Sequence, residues 1–372
     1  METTPALRGL RCTACGESAD PDATRCPDCG GVLAPDYDPD AVASLDEVRP
    51  FPEDVAVSIE TGGTPRVSVP SLAAELGVDR IAVADEGRNP TGSLADRVLA
   101  PAVTAAVQQG AERIGTPSTG NGAQAAAALA ARAGIESKGF VPSRCPFVNK
   151  AMVNVHGGDM RVVEGRYDDA VAAFADSDES FTGVAPGHPF RVAGGMALAV
   201  ELLADRVPDA VVHPASHGEV LVGLERGFTL AAEAGLVESV PRIYAVQPDS
   251  AAPIADAVRS GASTPAAVDH PDTIVGPLEV PEPAAGAAAI AAVRATDGTG
   301  ATVDDDDVLQ GAVDGCEMGP EVGATGGTAV AGGRALAAAG ALGAGDDVVL
   351  VNPVAGSKEG DLLRSHLMSQ GL

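Results

Sequence analysis

Along most of the chain, short apolar runs alternate with alanine-rich stretches of helical period. Arg66-Val67-Ser68-Val69 alternates as a strand, Ser71 to Gly77 predicts a short helix ended by glycine, and Ile81-Ala82-Val83-Ala84 predicts the next strand. A helix follows through Val98 to Gln109, with Ser93 placed to cap its start. From Ile114 the chain passes through Ser118-Thr119-Gly120-Asn121-Gly122 into a long alanine-rich helix ending at Gly134. Gly139-Phe140-Val141-Pro142 and Asp159-Met160-Arg161-Val162-Val163 read as strands, with helices opened by Lys150 and Tyr167 after each. Ala197 to Ala204 predicts a helix, Ala210-Val211-Val212-His213 a buried strand, and Asp346-Asp347-Val348-Val349-Leu350-Val351 a last strand. The acidic run Asp304 to Asp307 is expected to start a helix over Val308 to Gly315, because carboxylates favour helix N-termini. Such alternation of strands and helices marks an α/β protein with parallel sheets covered on both faces.

The front of the chain reads differently. Cys12-x2-Cys15 and Cys26-x2-Cys29 are separated by ten residues, and the Cys-Pro-Asp-Cys-Gly-Gly run suits a tight turn. Two such turns let four thiolates converge on one zinc ion, so residues 1–35 are expected to form a zinc ribbon with a structural metal. Disulfides are the competing reading, which a cytosolic setting disfavours. The acidic, proline-bearing stretch Ala34 to Asp40 suggests a linker, placed over 36–49. Cys145 and Cys316 stand apart and are expected as small buried hydrophobes.

Composition narrows the partners. With 24 Lys and Arg against 52 Asp and Glu, the formal net charge is −28, which repels nucleic-acid backbones and anionic membranes. Only Lys138, Lys150 and Lys358 are lysines, and this acidic, lysine-poor balance reads as a halophile's cytoplasmic protein, ordinary acidic solubility being the alternative. No apolar run reaches the roughly 20 residues of a membrane span, and Met1 to Pro5 lacks a signal-peptide pattern. His156, His188, His213, His270 and His366 show no metal spacing and are assigned no role.

The stretch Asn89-Pro90-Thr91-Gly92-Ser93-Leu94-Ala95-Asp96-Arg97 resembles the N-P-T-G-S-x-K-D-R segment of threonine synthases and their relatives among the fold type II pyridoxal-phosphate enzymes. His188 to Met196 and Pro241 to Ile254 resemble further segments of that family, and the resemblance runs roughly from Asp36 to Gly360. It implies a two-domain α/β architecture like that of tryptophan synthase beta, often dimeric, with a ligand cleft between domains. The larger domain would comprise 50–100 and 197–372, and the smaller 101–196.

The resemblance also implies roles. Asn89, Thr91 and Ser93 would line the ligand site. Ser118, Thr119, Gly120 and Asn121 would receive a substrate carboxylate, which suits a helix start with bare amides, although a well-capped helix that binds nothing is equally compatible. Ala95, however, occupies the family's Schiff-base lysine, and a methyl group cannot form an imine. The glycine-rich phosphate loop is replaced by Ser216-His217-Gly218-Glu219, where a carboxylate a few Å from a phosphate is repulsive by about 1 to 4 kcal/mol. His217 on its own reads as a hydrogen-bonded surface imidazole. Near the end, Asn352-Pro353 replaces the hydroxyl residue that meets the cofactor's ring nitrogen, and Gly326-Gly327 replace better helix formers. Three departures together predict a catalytically degenerate threonine-synthase-like paralogue that holds pyridoxal phosphate at most non-covalently. A binding or regulatory role follows, with a small anionic or amino-acid ligand, as a homodimer or beside an active homologue. Two alternatives stay open: an active lyase converting O-phosphohomoserine to threonine, and a cofactor-free enzyme using the same cleft with Asp85, Glu86, Arg88, Ser118 and His217.

Overall fold

A computed structural model describes residues 1–371 and divides into two compact units. The first comprises Met1–Gly62, Ala95–Glu201 and Val222–Glu238; the second comprises Gly63–Leu94, Leu202–Leu221 and the chain from Ser239 onward.

In the second unit six strands form one sheet in the order Gly300–Val303, Arg242–Pro248, Ala210–Pro214, Asp347–Asn352, Arg80–Asp85, Arg66–Ser68. Every pairing is parallel except the last, which joins Arg66–Ser68 to Arg80–Asp85. The central strands Ala210–Pro214 and Asp347–Asn352 are buried at every position, which is why they read as apolar runs and not as alternating ones. Val83, Val212, Tyr244, Val246, Val348 and Leu350 form a core with the helices Asp305–Glu317 and Ala324–Ala338. The expected acidic helix start holds, with Asp304 as N-cap accepting from Asp307 N at 2.8 Å. The weak helix formers Gly326 and Gly327 also find their reason here. A side chain on Gly326 would collide with Asn352 Oδ1, and one on Gly327 with the Val308 carbonyl of the neighbouring helix. Close approach, of a side chain at Gly326 and of backbone at Gly327, outweighs helix propensity at both positions.

The first unit carries a four-stranded parallel sheet in the order Asp159–Val163, Glu136–Pro142, Arg113–Pro117, Thr182–Gly183. Helices Ala95–Gln108, Asn121–Ala133, Phe147–Val155 and Tyr167–Ala175 accompany it. Its amino-terminal part is a three-stranded antiparallel sheet, Ser18–Ala19, Leu7–Cys12 and Leu33–Tyr37. That small sheet does not stand apart from the rest of the unit. Leu10, Leu33 and Tyr37 share one buried cluster with Leu99, Val103, Phe190 and Met196. The segment 36–49 contributes Val42 and Val48 to the same cluster, and Phe51 stacks at 4.9 Å on Phe190.

Three local expectations change. Ser93 does not cap the following helix: it pairs in an antiparallel bridge with Val354, and its hydroxyl has no hydrogen-bond partner among the described residues. The helix expected from Ala197 begins at Pro189, since proline suits a first helical turn where its missing N–H costs nothing. Cys316 is exposed, not buried, with Sγ 3.3 Å from both Val322 N and Val322 O. No helix among the described residues is long and apolar enough to cross a membrane.

Candidate functional site

In the second unit the motif loop grows from the end of strand Arg80–Asp85. Parallel pairing sets Asp85 opposite Asn352, and Asn352 Nδ2 donates to Asp85 Oδ1 at 2.8 Å and to Glu321 O at 3.0 Å. Burial pushes the Asp85 carboxyl up, against the opposing pull of Asn352 and Arg88. The neighbouring Glu86 is fully buried and accepts from Asn89 Nδ2 at 2.7 Å and from the Thr64 hydroxyl. Asn89 and Thr91 are themselves buried. The loop is then clipped to the exit of the last strand. Leu94 N donates to Pro353 O at 2.8 Å, Ala355 N to Gly92 O at 3.0 Å, and Lys358 Nζ to Thr91 O at 2.8 Å. Gly92 has φ +81°, and a Cβ there would lie 2.9 Å from Lys358 Cδ, so the lysine passes where any other residue would carry a side chain. Ala95 opens the helix Ala95–Gln108 in the first unit, where Arg97 makes a two-pronged pair with Glu201, each bond 2.9 Å.

The loop after strand Ala210–Pro214 is occupied by protein contacts. Ser216 Oγ donates to Pro277 O at 2.9 Å, and Ala285 N donates to His217 O at 2.9 Å. At Gly218, φ +90°, an added Cβ would stand 2.7 Å from Ala289 Cβ and 3.1 Å from Ala285 O. Glu219 starts the helix Glu219–Glu233 and is 3% exposed, so its carboxylate has not swung out to solvent. His217 is half-buried. Just before this loop, His213 is buried, and burial pulls its pKa down to about 4 while the Pro214 backbone and then Glu86 pull the other way. Nothing in the local sequence marks His213 apart from its place in an apolar run.

In the first unit Ser118, Thr119 and Gly120 lead into the helix Asn121–Ala133. Ser118 is buried, and its Oγ accepts from Gly120 N at 3.0 Å. Gly120 adopts φ +144°, and no side chain among the described residues caps the helix. Asn149, from helix Phe147–Val155, donates through Nδ2 to Asn121 Oδ1 at 3.1 Å. Sequence reading passed over this residue, because its partner lies 28 positions away.

Among the described residues one group of metal-ligand type converges, Cys12, Cys15, Cys26 and Cys29, with all four Sγ within 4.8 Å of one another. Three separations are 3.5, 3.6 and 3.5 Å. A tetrahedral site with Zn–S of about 2.3 Å has an S–S edge of about 3.8 Å, so the four sulfurs fit zinc with little movement. None of these cysteines is in a disulfide.

A family model described as pyridoxal-phosphate dependent enzyme matches residues 57–354. The chain is 28% identical over 368 residues to the threonine synthase of Methanosarcina acetivorans, covering 92% of this chain and 90% of that protein. It is 28% identical over 325 residues to the threonine synthase of Methanocaldococcus jannaschii, covering 81% and 80%. Among solved structures, maize serine racemase superposes with a TM-score of 0.72 at 19% identity, over 89% of this chain and 99% of that one. The processed form of threonine deaminase isoform 2 from Solanum lycopersicum gives 0.70 at 19% identity, over 83% of each.

His213 supplies a test of the buried polar cluster. Its folded pKa, about 4, lies below the ordinary 6.5, so the stability tied to its neutral form is present above pH 6.5 and is lost as pH falls from there toward 4. Denaturant unfolding at pH 7 and pH 5 should therefore show a loss that is smaller in His213→Val than in the unaltered chain by about 2 kcal/mol. Identical losses in the two proteins would mean that His213 is protonated or solvated in the fold.

Proposed function

The chain belongs to the pyridoxal-phosphate dependent enzyme family, and we propose that within it this is a threonine-synthase-like protein whose catalytic equipment is degenerate. The observation that carries the reading is Ala95 at the lysine position of the motif, in a chain with only three lysines. Each of those amines is engaged: Lys138 with Asp159 at 2.7 Å, Lys150 with Ser143 O at 3.0 Å, and Lys358 with Thr91 O at 2.8 Å.

The residues present do not fit covalently held pyridoxal phosphate. No amine stands at position 95, and Pro353 follows the last strand where a hydroxyl is expected. In the phosphate loop the Ser216 hydroxyl is spent on Pro277, Gly218 is closed in by Ala285 and Ala289, and a buried carboxylate at Glu219 heads the helix. A buried carboxylate beside a phosphate is repelled by it. What remains intact is the loop Ser118–Asn121, whose helix start and hydroxyl suit a small anionic or amino-acid carboxylate. The role we assign is binding or regulation, as a homodimer or beside an active homologue.

A second reading draws support from Lys358, whose amine reaches the motif loop. In that reading the lysine serves as a relocated amine and the chain is an active lyase.

Two measurements bear on these proposals. Phosphate release from O-phosphohomoserine, assayed in concentrated salt with added pyridoxal phosphate, should stay at the buffer rate for the chain alone, while mixing with an active threonine synthase should change that enzyme's rate. Turnover by the chain alone would end the degenerate reading, and an unchanged rate in the mixture would end the regulatory one. For the ribbon, metal analysis should find one zinc per chain, lost together with part of the thermal stability in Cys26→Ser. Metal-free protein with Cys12, Cys15, Cys26 and Cys29 oxidised to disulfides would remove zinc from the account.

A further inference from the structure

The four thiols of the ribbon are not alike. Cys12 and Cys26 are buried, 1% and 3% exposed, and belong to the apolar core of the first unit, whereas Cys15 and Cys29 are exposed. The local chain explains the division. Cys12 ends strand Leu7–Cys12 and pairs with Leu33 of the facing strand, so ladder and core hold it together. Cys15 and Cys29 stand in turns outside any strand or helix, each followed by a glycine of positive φ, Gly16 at +76° and Gly30 at +70°. A side chain added at either glycine would meet open space, so both cysteines have open surroundings on that side.

The exposed pair is also in contact, with Cys15 Sγ and Cys29 Sγ 3.5 Å apart. A disulfide needs about 2.05 Å, a closing movement open to two turn residues. To join either of them, Cys12 would have to leave its strand pairing and Cys26 the core. Thiols that bind zinc do so as thiolates, the form that attacks a peroxide, and exposure decides which of them is reached. Exposed Glu17 and Asp28 lie beside the pair in sequence and repel an anionic oxidant, which leaves a small uncharged one.

Resting on the reading that the ribbon binds zinc, we infer that Cys15 and Cys29 form a site of reversible oxidation, where a small uncharged peroxide closes a disulfide and the ribbon gives up its metal. With hydrogen peroxide, one thiolate attacks the O–O bond, becomes a sulfenic acid and releases hydroxide. The other thiolate attacks the sulfenic sulfur, forms the S–S bond and expels a second hydroxide. The two sulfurs lose two electrons in all, the broken O–O bond takes them up, and two protons from solvent turn the hydroxides into water. Cys12 and Cys26 are then the only thiolates left, too few for a tetrahedral site. A dithiol reverses the change by exchange, itself becoming the disulfide. Reloading is possible because Leu10, Leu33 and Tyr37 pack with Leu99, Val103 and Phe190, which keeps the small sheet in place without metal.

The test treats the full chain, purified under reductant with its zinc, with hydrogen peroxide in concentrated salt. A chromogenic chelator reads the zinc set free while peptide mapping follows each cysteine. The chain should lose its one zinc in step with the Cys15 and Cys29 thiols, the first disulfide should join these two, and dithiothreitol with zinc should restore both metal and thiols. Cys15→His keeps a ligand of the kind found in Cys3His sites but has no thiol there, and should release zinc far more slowly under the same peroxide. A first bond to Cys12 or Cys26, zinc retained after Cys15 and Cys29 are oxidised, unchanged release in Cys15→His, or failure to reload overturns the inference and leaves the zinc reading standing. Should Cys15→His take up no zinc, the mapping of the unaltered chain decides alone. A chain without zinc when purified under reductant overturns the zinc reading and the inference with it.

Discussion

The clip between the motif loop and the exit of the last strand is the interaction on which the form of that loop depends. Two backbone hydrogen bonds, Leu94 to Pro353 and Ala355 to Gly92, and the Lys358 amine on Thr91 O fasten two segments more than 250 residues apart in the chain. Parallel pairing of Asp347–Asn352 with Arg80–Asp85 brings the segments side by side, and Gly92 leaves the space that the lysine fills. Asn352 on Asp85, and Asn89 and Thr64 on Glu86, complete a layer of buried polar groups that largely satisfy one another. Such a layer keeps its shape through protein partners, because a buried polar group without one is costly. The proposed loss of covalent cofactor is compatible with an ordered loop for this reason.

Much of the architecture was legible in the chain. Buried parallel strands announce themselves as apolar runs, as at Ala210–Pro214 and Asp347–Asn352, and cysteine spacing announced the thiol cluster. The failures have a common physical origin in contacts that join distant residues. Ser93 has the chemistry of a helix cap, but pairing with Val354 claims its backbone. Gly326 and Gly327 look like poor helix residues until Asn352 and the Val308 carbonyl are placed against them. Asn149 has no local signature, and its meaning comes only from Asn121. His213 reads as one more strand residue until its imidazole is found buried and held neutral by that burial.

The ribbon illustrates the same point at larger scale. Its cysteines can organise a metal by themselves, but Leu10, Leu33 and Tyr37 also enter a core with helix Ala95–Gln108 and Phe190. Metal closure and apolar packing therefore act on the same few residues, and the small sheet is stabilised by the unit it helps to cover.

The central claim is that no lysine of this chain holds pyridoxal phosphate. An absorbance titration with the cofactor in concentrated salt, followed by borohydride reduction and peptide mapping, tests it most directly. The account predicts no saturable aldimine band and only diffuse labelling. A saturable band with reduction at a single lysine would contradict it, and labelling at Lys358 would establish a relocated amine at the motif loop.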